Sequence, residues 1–168
     1  MKEKLLEMLE MQKALNQNIL EEYGDEKYTW DNLLHALFDE LGELNHELKA
    51  KWCWWKKTQK PVDRAKLLEE YVDCIHFGLC MILKRKGNLE QDVAQIEEGY
   101  YTHIYHDIIY CDNIYLYFVQ IVNPGCTAIN RFINLLGLGY ALGFTFDTIY
   151  KAYIKKNKVN HERLKEGY

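Results

Sequence analysis

Four carboxylates are spaced to hold a cation. Glu40 and Glu43 lie three residues apart, and Glu70 and Asp73 repeat the interval further along the chain. Residues three apart on a helix share a face, so each pair can grip one ion together. Asp73 is the most informative of the four. It lies in the run Val72 to Leu83, which is apolar around nearly the whole helical circumference. An ionised carboxylate there costs several kcal/mol unless it meets a cation. A lysine or arginine partner would serve Asp73 as well as a metal, and the ridge Glu40, Glu43 and Glu47 taken alone reads as solvated surface. Two pairs on successive helices with a short connection are a different matter. Antiparallel neighbours would bring all four together as an all-oxygen site, suited to Mg²⁺ with Mn²⁺ as a substitute.

Opposite charge comes from the end of the chain. Ile149, Tyr153, Lys156, Asn160 and Arg163 recur at intervals of four and three, hence on one helical face. Its first turns are apolar and its last turns cationic and amide-bearing, as a wall for phosphates would be. The competing reading is a polar last turn whose cations favour the helix dipole. Near the other end, Gln12 and Asn16 sit amid the apolar face Leu5, Leu9, Leu15 and Ile19. Amides in a core face must be hydrogen-bonded; these either tie helices together or read the edge of a pyrimidine base. Trp52, Trp54 and Trp55 with Lys51 and Lys56 follow the acidic ridge. They can stack on a base and touch phosphates, or pack at a dimer interface.

The elements that must position these residues are helices. Apolar residues recur at i, i+3, i+4 and i+7 over long stretches, and the two prolines, Pro61 and Pro124, fall between them. The pattern predicts an all-α bundle over a single domain, residues 1–168. A first helix is predicted from about Lys4 to Glu21. A second runs from the Thr29 cap to about Lys51, with the stripe Trp30, Leu33, Leu34, Leu37, Leu41, Leu44 and Leu48. A third starts after Pro61 and Asp63 and ends near Lys86. The tyrosine-rich stretch from Asn88 to Val122 is expected to be helical in much of its length. Two more helices span about Thr127 to Leu142 and Thr145 to Leu164.

Bulk properties narrow the function classes. The chain has 168 residues, 48% hydrophobic and 27% charged, with a net charge of −4. That is a globular balance with no basic field for nucleic acid. The five cysteines are odd in number and without C-x-x-C pairing, which reads as buried thiols in a reducing compartment. No segment reads as a signal core or a membrane span, so a cytoplasmic protein is expected.

The chain resembles the dimeric, all-α dUTPases, which belong with the MazG-like nucleotide pyrophosphatases. The likeness is carried by Met11-Gln12-Lys13-Ala14-Leu15-Asn16, by Glu40-x-x-Glu43, and by the tryptophan- and lysine-rich stretch after it. It continues through Glu69-Glu70-Tyr71-Val72-Asp73-Cys74-Ile75-His76-Phe77 and closes with Tyr153-Ile154-Lys155-Lys156-Asn157-x-x-Asn160-x-x-Arg163 and Gly167-Tyr168. The resemblance implies an all-α NTP pyrophosphatase fold, a homodimer, and hydrolysis of dUTP to dUMP and pyrophosphate, with dCTP or a broader set of dNTPs as the alternative. It implies Mg²⁺ ligands in Glu40, Glu43, Glu70 and Asp73, with Glu40 also orienting the attacking water. It implies phosphate contacts from Lys156, Asn160 and Arg163, and uracil contacts from Gln12 and Asn16. Trp55, Lys56 and Tyr153 complete the expected substrate site. The family often carries an aromatic residue and a Gln beside the Arg, where this chain has Glu162 and Leu164, and residues 88–122 match only loosely.

Two other classes compete. Glu43-x-x-His46 and Asp73-x-x-His76, with Glu40 and Glu70, have the spacing of a ferritin-like di-iron site, a reading that leaves Lys156, Asn160 and Arg163 without a role. A non-enzymatic helical interaction module accounts for the aromatics and not for Asp73.

Overall fold

Side-chain caps set where most of the long helices begin. A computed structural model describes residues 1–106 and 113–167 of the chain. Among the described residues there are eight helices and no strand: α1 (Lys2–Tyr23), α2 (Trp30–Glu47), α3 (Lys49–Trp52), α4 (Arg64–Lys84), α5 (Leu89–His106), α6 (Ile114–Val122), α7 (Ala128–Ala141) and α8 (Phe146–Lys165). Thr29, Asp63, Thr127 and Thr145 each accept a backbone N–H of the first turn of α2, α4, α7 and α8. Each thereby satisfies a donor that the helix itself cannot pair.

The expected helices are present, with one correction. The second does not run unbroken to Lys51: α2 ends at Glu47 and Leu48 leads into the single turn of α3. Leu48 is fully buried, so the leucine stripe continues while the backbone turns. Its N–H goes to the His46 carbonyl, and the Trp52 indole N–H donates to the Asn45 carbonyl at 2.9 Å. A helix-end acceptor is thus satisfied from the side rather than by the next turn. The 88–122 stretch contains α5 and α6. Residues 107–112, with Cys111, and Tyr168 of the closing motif lie outside the described residues. Cys53, Cys74 and Cys80 are buried free thiols, and the free thiol Cys126 is half-buried.

Helix directions follow from repeated sequence separations. Lys4–Asp147, Glu7–Tyr150 and Asn18–His161 are each 143 residues apart, so α1 and α8 run parallel. Gln12–His76 and Asn16–Cys80 share a separation of 64, which sets α4 parallel to α1. α2 lies antiparallel on α4, with Lys66 paired to Glu47 at 2.6 Å and Glu70 one turn on beside Glu43 and Glu40. Leu33, Leu37, Leu41, Leu44 and Leu48 of α2 are buried, whereas Trp30 is exposed. On α1 the buried face is Leu5, Met8, Leu9, Gln12 and Leu15, and Ile19 lies outside it. Among the described residues no single helix is long and apolar enough to cross a membrane.

α4 is nearly encircled, by α2, α1, α8 and α7. Gly78 lets α7 approach: a Cβ there would lie 2.8 Å from Phe132 and 2.9 Å from Leu135, both fully buried. Overpacking of that kind costs about 1–3 kcal/mol. Gly78→Ala is expected to lower the unfolding free energy obtained from urea titration by that amount with helix content retained; an unchanged free energy would mean that α4 and α7 are less tightly packed than described.

Candidate active site

The antiparallel pairing of α2 and α4 sets Glu40, Glu43 and Glu70 together. One carboxylate oxygen of each lies within 4.8 Å of the others. Beside Glu43 and Glu70, Asp39, His46, Glu47 and Lys66 line a cleft of about 380 Å³. Burial raises the Glu40 carboxyl to about 7, and the negative charges of Asp73, Glu43, Glu70 and Asp39 push in the same direction. Glu70 is raised by the same causes, burial first and then Glu43 and Asp73. An oxygen-only donor set of this charge density fits a hard divalent cation, which would relieve the repulsion that keeps Glu40 protonated.

Asp73 stands beside this trio and is held by a cation of the chain itself. Lys156 of α8 contacts Asp73 at 2.7 Å and Glu69 at 3.2 Å. Side chains on a helix lean towards its N-terminus, so Lys156 reaches back along α8 to the first half of α4. Burial still leaves the Asp73 carboxyl raised, although Lys156 and, more distantly, Arg163 pull it down. The lysine partner and the carboxylate cluster, two alternatives in the sequence, are therefore adjacent. Asn160 is half-buried and Arg163 exposed on the next turns of α8.

A chain of buried polar groups extends the site along α1. Gln12 is 2% exposed. Its Oε1 lies 2.7 Å from His76 Nδ1 and 3.1 Å from the Tyr153 hydroxyl. Its Nε2 donates to Asn16 Oδ1 at 2.8 Å and to Cys80 Sγ at 3.3 Å. Asn16, half-buried, donates to the Tyr28 hydroxyl, and Tyr28 donates to the Cys80 carbonyl. Tyr153 is fully buried, stacks on His76 with ring centroids 4.5 Å apart, and accepts from Asn157 Nδ2 at 3.3 Å. Burial, with a smaller contribution from Lys156, depresses His76 to about 3, so the ring is neutral. Gln12 and Tyr153 are thus committed within the core, while Asn16 reaches a cleft of about 650 Å³ also lined by Lys13, Gln17, Tyr28 and Lys84.

Trp55 and Lys56 are exposed on the chain after α3. Trp55 packs against Trp52 at 5.6 Å and Trp54 at 5.9 Å.

A family model for dUTPase matches residues 4–168. The chain belongs to the dUTPase family. It is a hydrolase of nucleotide metabolism, a nucleoside triphosphate pyrophosphatase that converts dUTP to dUMP and pyrophosphate. No curated protein matches the chain. The di-iron alternative is not needed: among the described residues the close carboxylate group is Glu40, Glu43 and Glu70, with no histidine in it.

Asn157 and Tyr28 join the polar network: Asn157 stood in the closing motif with no role assigned to it, and Tyr28 was not singled out in the sequence. Asn157 is 2% exposed and one position off the face chosen for α8. Its spacing of four from Tyr153 was the available signal.

The raised carboxyls of Glu40, Glu70 and Asp73 make the metal-free dUTPase pH-sensitive. The folded chain holds protons that the unfolded chain releases near 4.5, so stability falls as pH rises from there to about 7. Thermal unfolding in EDTA between pH 4.5 and 8 should show this decline, and Glu40→Gln should flatten it by a few degrees. A slope identical in the parent and Glu40→Gln would contradict the crowding of these groups.

Proposed function

We propose that this dUTPase works with Mg²⁺, replaceable by Mn²⁺, held by Glu40, Glu43, Glu70 and Asp73. The supporting observation is the meeting of three carboxylate oxygens within 4.8 Å, beside an Asp73 already paired with Lys156. The cation supplies charge neutralisation for the phosphates and makes nearby water more acidic. Glu40, at the edge of this cluster, would accept the proton of the attacking water. Lys156, released from Asp73 and Glu69, moves its ammonium to the triphosphate, and Asn160 and Arg163 extend that contact along α8. Arg163 favours phosphate by its bidentate geometry.

Gln12 and Asn16 read the uracil, Asn16 from the cleft and Gln12 from behind it, with Tyr153 bracing Gln12. Trp55 and Lys56 supply an exposed aromatic and a cation for the base and phosphates. We further read the chain as a single domain that forms a cytoplasmic homodimer, a reading that rests on the family resemblance and on the unpaired cysteines.

Purified protein with Mg²⁺ is expected to release pyrophosphate from dUTP faster than from dTTP, and EDTA to abolish turnover. Glu43→Gln or Asp73→Asn should lower kcat by roughly a hundredfold or more, since an amide cannot replace an anionic ligand. Near-parental rates in both variants would remove the carboxylates from the mechanism. Arg163→Ala should slow every nucleotide by about tenfold to a hundredfold with base preference unchanged. A selective loss on one nucleotide would reassign Arg163 to the base.

A further inference from the structure

The direction in which Asn16 presents its amide is settled far from the cleft, at His76. The imidazole is 5% exposed and neutral, so it carries one proton. Its Nδ1 lies 2.7 Å from Gln12 Oε1, and its Nε2 has no partner among the described residues. With the proton on Nε2, a buried N–H would go unpaired and two lone pairs would face each other across 2.7 Å. The proton therefore sits on Nδ1 and is donated to Gln12 Oε1.

That bond fixes everything beyond it. With Oε1 turned to His76, the Gln12 amide nitrogen must face Asn16, whose Oδ1 accepts at 2.8 Å. Cys80 supports the same orientation, its S–H donating to Asn16 Oδ1 at 3.2 Å. Asn16 Nδ2 is left facing outward. One of its protons goes to the Tyr28 hydroxyl at 3.2 Å; the other remains for the cleft of about 650 Å³ that Asn16 lines. Inverting either amide alone would set oxygen against oxygen or nitrogen against nitrogen, which a buried network does not tolerate.

An N–H offered to a ligand asks for an acceptor. Uracil carries a carbonyl where cytosine carries an amino group, so this orientation accepts one ring and opposes the other. Cys80 lies two turns, roughly 11 Å, beyond Asp73 on α4, a length that a nucleoside triphosphate can bridge. We propose that His76 is a specificity-determining positioning residue: its Nδ1–H, acting through Gln12, holds the Asn16 amide nitrogen towards the cleft and so favours uracil over cytosine. This rests on the reading of Gln12 and Asn16 as the base-recognising pair.

The test is the dUTP-to-dCTP ratio of kcat/KM with Mg²⁺. His76→Phe keeps a ring and removes the donor; it should lower the ratio by about tenfold or more. His76→Asn restores an N–H near the Nδ1 position and should recover much of the ratio. A His76 that merely fills space would lower Tm and both rates together with the ratio intact, and that result would overturn the proposal. Because a core substitution can unfold the chain, nitrogen-15 NMR of the native protein gives a second measurement: His76 should show a protonated Nδ1 and a bare Nε2. A proton on Nε2 would overturn the proposal regardless of the variants. Gln12→Leu and Asn16→Ala separate the two layers. If both leave the ratio unchanged, the base-recognition reading itself falls; if they erase it while His76→Phe does not, only the role of His76 falls.

Discussion

Like charges held a few ångströms apart repel, and much of this molecule keeps α2 against α4 in spite of that. Glu40, Glu43 and Glu70 meet with oxygens within 4.8 Å. The force that opposes their separation is apolar. Leu37, Leu41 and Leu44 on one side and Leu67, Tyr71 and Cys74 on the other are buried within the same helical turns that carry the acids. At about 25 cal/mol per Å² of buried apolar surface, a few such side chains outweigh the repulsion of partly solvated carboxylates. The leucine stripe and the acidic ridge are consequently one device. Helical geometry puts them side by side, so the burial of one places the other.

The second constraint lies behind the acids, where α1, α4 and α8 share a polar interior. Buried amides, phenols and an imidazole destabilise a core unless each donor finds an acceptor. Here nearly every one does, and the exceptions among the described residues include His76 Nε2. Lys156 stands at the boundary of the two regions, bonded to Asp73 and close enough to His76 to help keep it uncharged. The electrostatics of the carboxylate cluster and the hydrogen bonding of the polar interior are thereby linked through one lysine.

Much of this was legible along the chain, for physical reasons. Periodicity exposed the helices, and Thr29, Asp63, Thr127 and Thr145 announced their starts because a capping side chain acts within three residues. The carboxylate pairs were legible because i, i+3 spacing defines a face, and dUTPase family membership followed from the ordered motifs. The neighbours of a face were not legible. Periodicity placed Lys156, Asn160 and Arg163 together without revealing that Lys156 pairs with Asp73. It put Asn157 off the chosen face, because α8 is packed on two sides, by α1 and α4, and its buried arc is wider than one stripe. His76 looked like half of a metal motif, since its true partner, Gln12, is 64 residues away. The turn at Leu48 was hidden by an apolar stripe that continues across it.

The parallel pairing of α1 with α4 and with α8 has a kinetic consequence. Parallel helices cannot be joined by short turns, so their contacts close long loops: Gln12 is bonded to His76 across 64 residues and to Tyr153 across 141. Closing long loops costs entropy before any contact repays it, and contacts of high sequence separation slow folding. On the ribosome α1 is made first and waits for α8, its amides exposed or solvated until Tyr153 and Asn157 arrive. The polar interior is therefore assembled at the end of synthesis, and a nascent chain has helices long before it has that interior.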